Sequence, residues 1–174
     1  MNKILVICGH PNIENSHYNK FIMSEFNKNS HITSHQLKAN FDVKKEQDLL
    51  LEHNTIIYQF PLWWYSFPAL LKDYFDKVMA WGFAYGENGD KLKNKKIMFS
   101  ITTGGPKDAY TTEGYNKVEI DNLIIPMSAI FNLTQSNMLK PFVIQGCNPN
   151  PQSQISQKDF EAEVEKLMAL ANSM

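Results

Sequence analysis

Apolar residues in this chain fall into short unbroken runs, separated by longer stretches in which they recur every three or four positions. The first run, KILVIC at 3–8, is apolar and β-branched, the pattern of a strand buried on both faces, and it ends in the turn-prone GHPN. From about Ser16 to Asn29 the spacing of Phe21, Ile22 and Phe26 predicts a helix. HITSHQL at 31–37 alternates weakly and reads as a short strand; DVKKEQDLLLEHN at 42–54 reads as a helix with Asp42 as its N-cap. TIIYQF at 55–60 is another buried strand, and ALLKDYFDKVMAW at 69–81 puts Leu70, Leu71, Tyr74, Phe75, Val78 and Met79 on one helical face.

The second half repeats the alternation. KIMFSIT at 96–102 predicts a strand, IDNLIIPMSAIFNL at 120–133 an apolar helix that Pro126 should kink or restart, and MLKPFVI at 138–144 a fifth strand. SQKDFEAEVEKLMALA at 156–171 is a last helix with Ser156 and Asp159 spaced as a capping pair. Five buried strands alternating with helices predict one doubly wound α/β domain over residues 1–174: parallel neighbours need crossovers, and the crossovers cover both faces of the sheet. In that architecture ligands bind beyond the carboxyl ends of the strands, where strand order reverses. Three loops then require inspection: GHPNIENSHYN, PLWWYSFP and TTGGPKDAY.

Charge and composition narrow the chemistry. A formal net charge of −1 gives no general attraction to nucleic acid or to an anionic membrane surface. Only Met1, Asn2 and Lys3 precede the first apolar run, which leaves no room for a signal peptide, and no stretch reaches the ~20 apolar residues of a membrane span. With two cysteines, Cys8 and Cys147, read as thiols of a reducing compartment, the expectation is a cytoplasmic protein. All 17 basic residues are lysine, so anion binding has to use backbone N–H groups, hydroxyls, His or Lys, with no guanidinium fork.

The loops suit such chemistry. The first carries His10, Asn15 and Ser16 into a helix N-terminus, a phosphate site without arginine, though it has neither a GxGxxG nor a Walker pattern and also reads as an ordinary capped turn. TTGG offers hydroxyls and amides unobstructed at Gly104 and Gly105, or a simple turn. In PLWWYSFP, adjacent Trp and Tyr rings make a planar surface for a heteroaromatic ligand, with the backbone N–H groups after Pro61 facing its edge. Core or interface filling is the alternative. Together the three loops supply a phosphate anchor, a flat apolar platform and a row of amide donors, the needs of a flavin mononucleotide. His31 and His35 have no third ligand near them in sequence and predict no metal site, and Met127 and Met138 read as core filling.

FPLWWYSFPALLKDYFDKVMAWGFAYG followed by KKIMFSITTGGPKDAYTTEGYN resembles the flavodoxin-like NAD(P)H:quinone oxidoreductases. The nearest likeness is to short bacterial members: the general NAD(P)H oxidoreductases and the ancillary subunits of glutathione-gated potassium efflux systems. It runs from the first strand to about residue 145. The resemblance implies a flavodoxin-like sheet of order 2-1-3-4-5, FMN (or FAD) as cofactor, NADPH or NADH as donor, a quinone-like acceptor served by a ping-pong mechanism, and a homodimer. A regulatory subunit with a membrane-protein partner and a flavodoxin-type electron carrier are the rival functions.

Residue by residue, His10, Ser16, His17, Tyr18 and Asn19 match the family's phosphate and ribityl loop. Pro61, Leu62, Trp63 and Trp64 match the segment along the isoalloxazine, and Thr102, Thr103, Gly104 and Gly105 the one at its polar edge. Tyr110 matches the active-site tyrosine, with Gly104 and Gly105 balancing charge on the reduced ring. Asn116 completes this implied catalytic set; it stands where animal-type members carry a histidine and can donate a hydrogen bond but not hold a proton, so a Tyr/His relay does not transfer. Phe83, Ala84 and Tyr85 match a segment that closes over the neighbouring subunit's flavin; Trp64, Phe67 and Tyr85 are the implied substrate pocket, and Tyr65 and Phe67 face either substrate or partner.

Overall fold

The structure, a computed structural model, describes residues 3–174; Met1 and Asn2, part of the signal-peptide argument, lie outside the described residues. In chain order it runs β1 (Ile4–Cys8), α1 (His17–Asn27), β2 (Ile32–Gln36), α2 (Val43–Glu52), β3 (Thr55–Pro61) and α3 (Ala69–Val78). There follow β4 (Lys96–Thr102), α4 (Ile120–Leu133), β5 (Asn137–Met138), β6 (Phe142–Ile144) and α5 (Gln157–Asn172). All strand pairs are parallel, in the order β2-β1-β3-β4-β5, with β6 also on β4. Register follows burial: Ile7 of β1 lies between His35 of β2 and Tyr58 of β3, and Tyr58 beside Phe99 of β4.

Alternation along each strand splits the core in two. Leu5, Ile7, Ile56, Tyr58, Phe60 and Phe99 pack against residues of α2, α3 and α4, among them Leu50, Tyr74, Phe75 and Phe131. Ile4, Val6, Cys8, Ile57 and Met98 pack against Ile22, Met23 and Phe26 of α1 and Phe160, Val164 and Leu167 of α5. Both faces are covered, which is why β1 and β3 are apolar on both sides. Gly9, at the exit of β1, lets α3 come close: a Cβ there would meet Leu71 Cδ2 at 2.8 Å. Three helices start on side-chain caps as their sequences predict, with Ser16, Asp42 and Ser156 accepting from the backbone N–H three residues on.

Four sequence expectations need correction. The predicted fifth strand is two pieces: three residues, 139–141, separate Met138 from Phe142, opposite only two, 98 and 99, in β4, so one residue bulges out. Pro141, which has no N–H to give the ladder, sits in that bulge. α3 stops at Val78 although apolar spacing runs to Trp81, because Met79 leaves the helical region (ψ 52°) and Gly82 turns the chain with φ +76°. α1 and α2 end at Asn27 and Glu52, each two residues short of its periodic pattern. Pro126 neither breaks nor restarts α4; it is exposed, so the Asn122 carbonyl that it leaves without an N–H partner lies toward water. Among the described residues no helix is long and apolar enough to cross a membrane.

Candidate functional site

The loops after β1, β3 and β4 converge beyond the carboxyl ends of those strands on a cleft of about 500 Å³, within the usual ligand range of roughly 300–1,000 Å³. Its walls come from His10, Ser16, Tyr18 and Asn19 on one side, Pro61, Leu62, Trp63 and Trp64 on another, and Thr102, Thr103 and Gly104 with Cys147 on the third. No residue of this lining carries a formal charge at neutral pH with His10 neutral.

At the α1 end, Ser16 Oγ accepts from Asn19 N at 3.3 Å, and the N–H groups of His17 and Tyr18 open the helix without an acceptor inside it. His10 is buried, and burial holds its pKa below the ordinary imidazole value. Its Nδ1 accepts from Asn12 N at 3.1 Å, so the neutral ring carries its proton on Nε2 and is a donor there. The ring stands edge-on to Trp63, 5.2 Å between centroids.

Asn19 is used internally. Its Nδ2 donates to Ser16 Oγ and to Thr102 Oγ1, both at 3.1 Å, while its Oδ1 accepts from Gln59 Nε2 at 2.9 Å. This buried network ties the start of α1 to the ends of β3 and β4 and fixes the cleft floor. His17 is exposed and faces Gln157 of α5, away from the cleft, so only its backbone N–H points to the anchor. Tyr18 donates to Asn148 O at 3.2 Å and accepts from Gln154 Nε2 at 2.8 Å, which fastens the loop after β6 against α1.

The aromatic segment is a two-residue turn. Trp63 and Ser66 exchange two backbone hydrogen bonds of 3.1 Å, and between them Trp64 (φ 47°) and Tyr65 (φ 63°) both take left-handed backbone. That is the type I′ pattern, which ordinarily uses Asn-Gly or Gly-Gly. Two large aromatics held there cost on the order of 1–2 kcal/mol each. The result is that Trp64 stands 93% exposed at the cleft rim. The turn also divides two hollows: Trp63 and Trp64 line the cleft, whereas Tyr65 and Phe67 line an apolar groove between α3 and α4 that Tyr85 shares. Phe67, buried against Phe60, Phe75 and Phe99, shares that groove with Tyr85 while Trp64 lines the cleft, so within one chain the implied substrate trio divides between the two hollows. Nor do all N–H groups after Pro61 face the cleft: Leu62 N donates to Thr102 O and Trp63 N to Ser66 O.

On the third side, Gly104 is open. The nearest atom to a Cβ built there is Asn148 Cβ, at 3.9 Å, so protein packing does not require glycine at this position of the cleft wall. Gly105 is crowded instead, with Tyr110 Cε2 and Tyr115 Oη each 2.9 Å from such a Cβ. Tyr110 lies behind Gly105, buried and outside the lining; burial raises its pKa and keeps the phenol a neutral donor. Asn116 Oδ1 accepts the Tyr65 hydroxyl at 2.9 Å. Sequence reasoning missed Gln59, Cys147 and Asn148. A lone Gln in the apolar run TIIYQF was a usable signal, since a buried amide must find partners; GCNPNPQSQ offered only turn chemistry.

The cleft thus offers N–H donors at the α1 N-terminus, an indole wall at Trp63 and unobstructed backbone at Gly104. Comparisons with known proteins agree with the topology. Residues 2–170 match a family described as having a flavodoxin-like fold. The Bacillus subtilis (strain 168) protein named uncharacterized NAD(P)H oxidoreductase YrkL is 37% identical over 171 residues, 95% of each chain. The ancillary protein KefG of the glutathione-regulated potassium-efflux system of Serratia proteamaculans (strain 568) is 36% identical over 147 residues, 82% of this chain and 80% of KefG. Two solved structures superpose closely. An NADPH-quinone reductase from P. pentosaceus gives a TM-score of 0.81 at 32% identity, covering 95% and 97% of the two chains. General stress protein 14 from Treponema denticola, in complex with FMN, gives 0.86 at 26% identity, covering 98% of each.

Proposed function

Because the chain belongs to the flavodoxin-like fold family, matched over residues 2–170, we propose that it is a flavin-dependent NAD(P)H oxidoreductase that binds FMN in the cleft and reduces quinone-like acceptors. The observation that carries this reading is the open flank at Gly104 beside the Trp63 wall, a flat slot that the protein leaves unfilled. The relatives named as oxidoreductase and quinone reductase, and the FMN complex of a similar chain, support it. FMN is favoured over FAD because a short chain without arginine offers little to a second phosphate.

When bound, FMN would supply the hydride chemistry between a nicotinamide donor and the acceptor. The chain supplies position and polarity. Ser16, the first-turn N–H groups of α1 and the Nε2–H of His10 take the phosphate as neutral donors. Trp63 and Trp64 would hold the ring from one wall, and Thr102, Thr103 and Gly104 would offer hydroxyl and amide groups to its polar edge. Tyr110, neutral and packed behind Gly105 outside the lining, would support this segment from behind without bringing a charge to it. Donor and acceptor would occupy the one cleft in turn, which would give ping-pong kinetics with parallel initial-rate lines.

The test is reconstitution. Purified protein titrated with FMN should turn yellow, and NADPH or NADH should bleach it until a naphthoquinone is added. A protein that takes up neither FMN nor FAD undoes the reading. The likeness to KefG carries a second reading, the same flavin site within an ancillary subunit of a potassium-efflux system in the cytoplasm; retention on membranes holding such a system separates the two. A homodimer fits the exposed Trp81, Ile125 and Leu133 near the α3–α4 groove, and light scattering reads it directly.

A further inference from the structure

We propose that Asn116 is a positioning residue: through the Tyr65 hydroxyl it holds the strained Trp64–Tyr65 turn, and so fixes where Trp64 stands over the cleft mouth. The inference rests on the reading of the cleft as a flavin and quinone site. Three observations carry it. Both central residues of the turn are bulky and left-handed, a conformation their own backbones oppose. Trp64 is 93% exposed, so its own ring gains little packing from holding that pose. The tie is the 2.9 Å bond from Tyr65 Oη, on the groove side of the turn, to Asn116 Oδ1, between residues 51 apart in sequence.

The far end of that tie is itself well held. Asn116 N donates to Ala109 O at 3.2 Å, and Gly105, one step from the open Gly104, is packed between Tyr110 and Tyr115 of the same loop. The 105–116 loop therefore serves as a rigid post to which the aromatic turn is fastened. An amide oxygen suits this task because it accepts a hydrogen bond at any pH without bringing charge to an uncharged mouth. The functional consequence is selectivity for flat aromatic acceptors, which gain from a Trp64 ring held in place before they arrive.

The test combines indole N–H resonances of the cofactor-free protein with steady-state kinetics of the FMN-loaded protein, in Asn116→Ala, Tyr65→Phe, the double variant and Asn116→Asp. The three tryptophans give three indole signals. Asn116→Ala and Tyr65→Phe are expected to move the Trp63 and Trp64 signals alike and leave Trp81 in place. The double variant should move them no further, and Asn116→Asp, which keeps the acceptor, should restore them. In the loaded protein KM for a planar naphthoquinone should rise about three- to tenfold in Asn116→Ala with little change in kcat, the worth of one hydrogen bond. Additive shifts in the double variant, an Asp variant that behaves like Ala, or an unchanged KM would overturn the assignment. Should the indole pattern appear in a wild-type protein that takes up no flavin, the positioning role stands and the functional reading falls.

Discussion

Gln59 Nε2 donates to Asn19 Oδ1 at 2.9 Å where neither side chain reaches solvent, joining the end of β3 to the first turn of α1. Asn19 spends both amide hydrogens as well, on Ser16 and Thr102. Asn19→Ala leaves Gln59 Nε2 on β3 and Thr102 Oγ1 on β4 without their buried partner, while Ser16 Oγ keeps the backbone N–H of residue 19. It should lower unfolding free energy by about 1–3 kcal/mol in urea titrations and loosen the anion end of the cleft, so that flavin affinity falls with stability.

Gly104→Ala should separate the two properties. The added methyl meets only Asn148 Cβ at 3.9 Å within the protein, and relief of glycine's unfolded-state entropy should stabilise the fold by about 0.4–1 kcal/mol. The same methyl intrudes on the slot, so FMN affinity should drop roughly tenfold, an overpacking cost near 1.4 kcal/mol. Thermal melts and flavin titration on one preparation check both.

Trp64→Gly removes a ring with almost no protein contact and a left-handed conformation that only glycine adopts freely. A gain of about 1 kcal/mol in stability is expected, with a loss of flavin affinity or of quinone turnover. Unchanged affinity and turnover would return the tryptophan to mere surface.

His10 makes stability depend on pH in a definite direction. Burial lowers its pKa in the native protein, so the unfolded chain takes up a proton more readily. Its contribution is complete above the unfolded value of about 6.5 and is lost as pH falls through the lower native value. Melting temperatures should decline on acidification across this window, and His10→Gln should remove that part of the decline.

Cys147 lines the cleft, yet burial pushes its thiol up to about 12. Little of it is then the reactive thiolate near neutral pH. Iodoacetamide should therefore label the native protein very slowly and label both Cys147 and Cys8 at once in denaturant, as mass spectrometry would record.

What was legible in the sequence follows from which physics acts locally. TIIYQF and KIMFSIT announced central strands because both of their faces are buried, and KIMFSIT was bounded to the residue. The loops that meet at the cleft followed from the alternation of strands and helices, because open α/β sheets bind ligands beyond the carboxyl ends of their strands. Side-chain direction did not: nothing in SHYN says that His17 turns toward α5 while Asn19 turns inward, since that depends on Gln59 and Thr102, 40 and 83 residues away. The I′ turn was hidden for a related reason, because WWYS lacks every residue that favours it, and its tie to Asn116 is a contact between distant segments.

The interruption between Met138 and Phe142 matters beyond topology. β5 and β6 form the outer border of the sheet on the side of β4, where unpaired N–H and C=O groups could recruit a strand from another molecule. Here that border is two short pieces set apart by a bulge and a proline, too broken to serve as a template. The kink that spoiled a simple five-strand reading thus guards this protein against growing, edge to edge, into an aggregate.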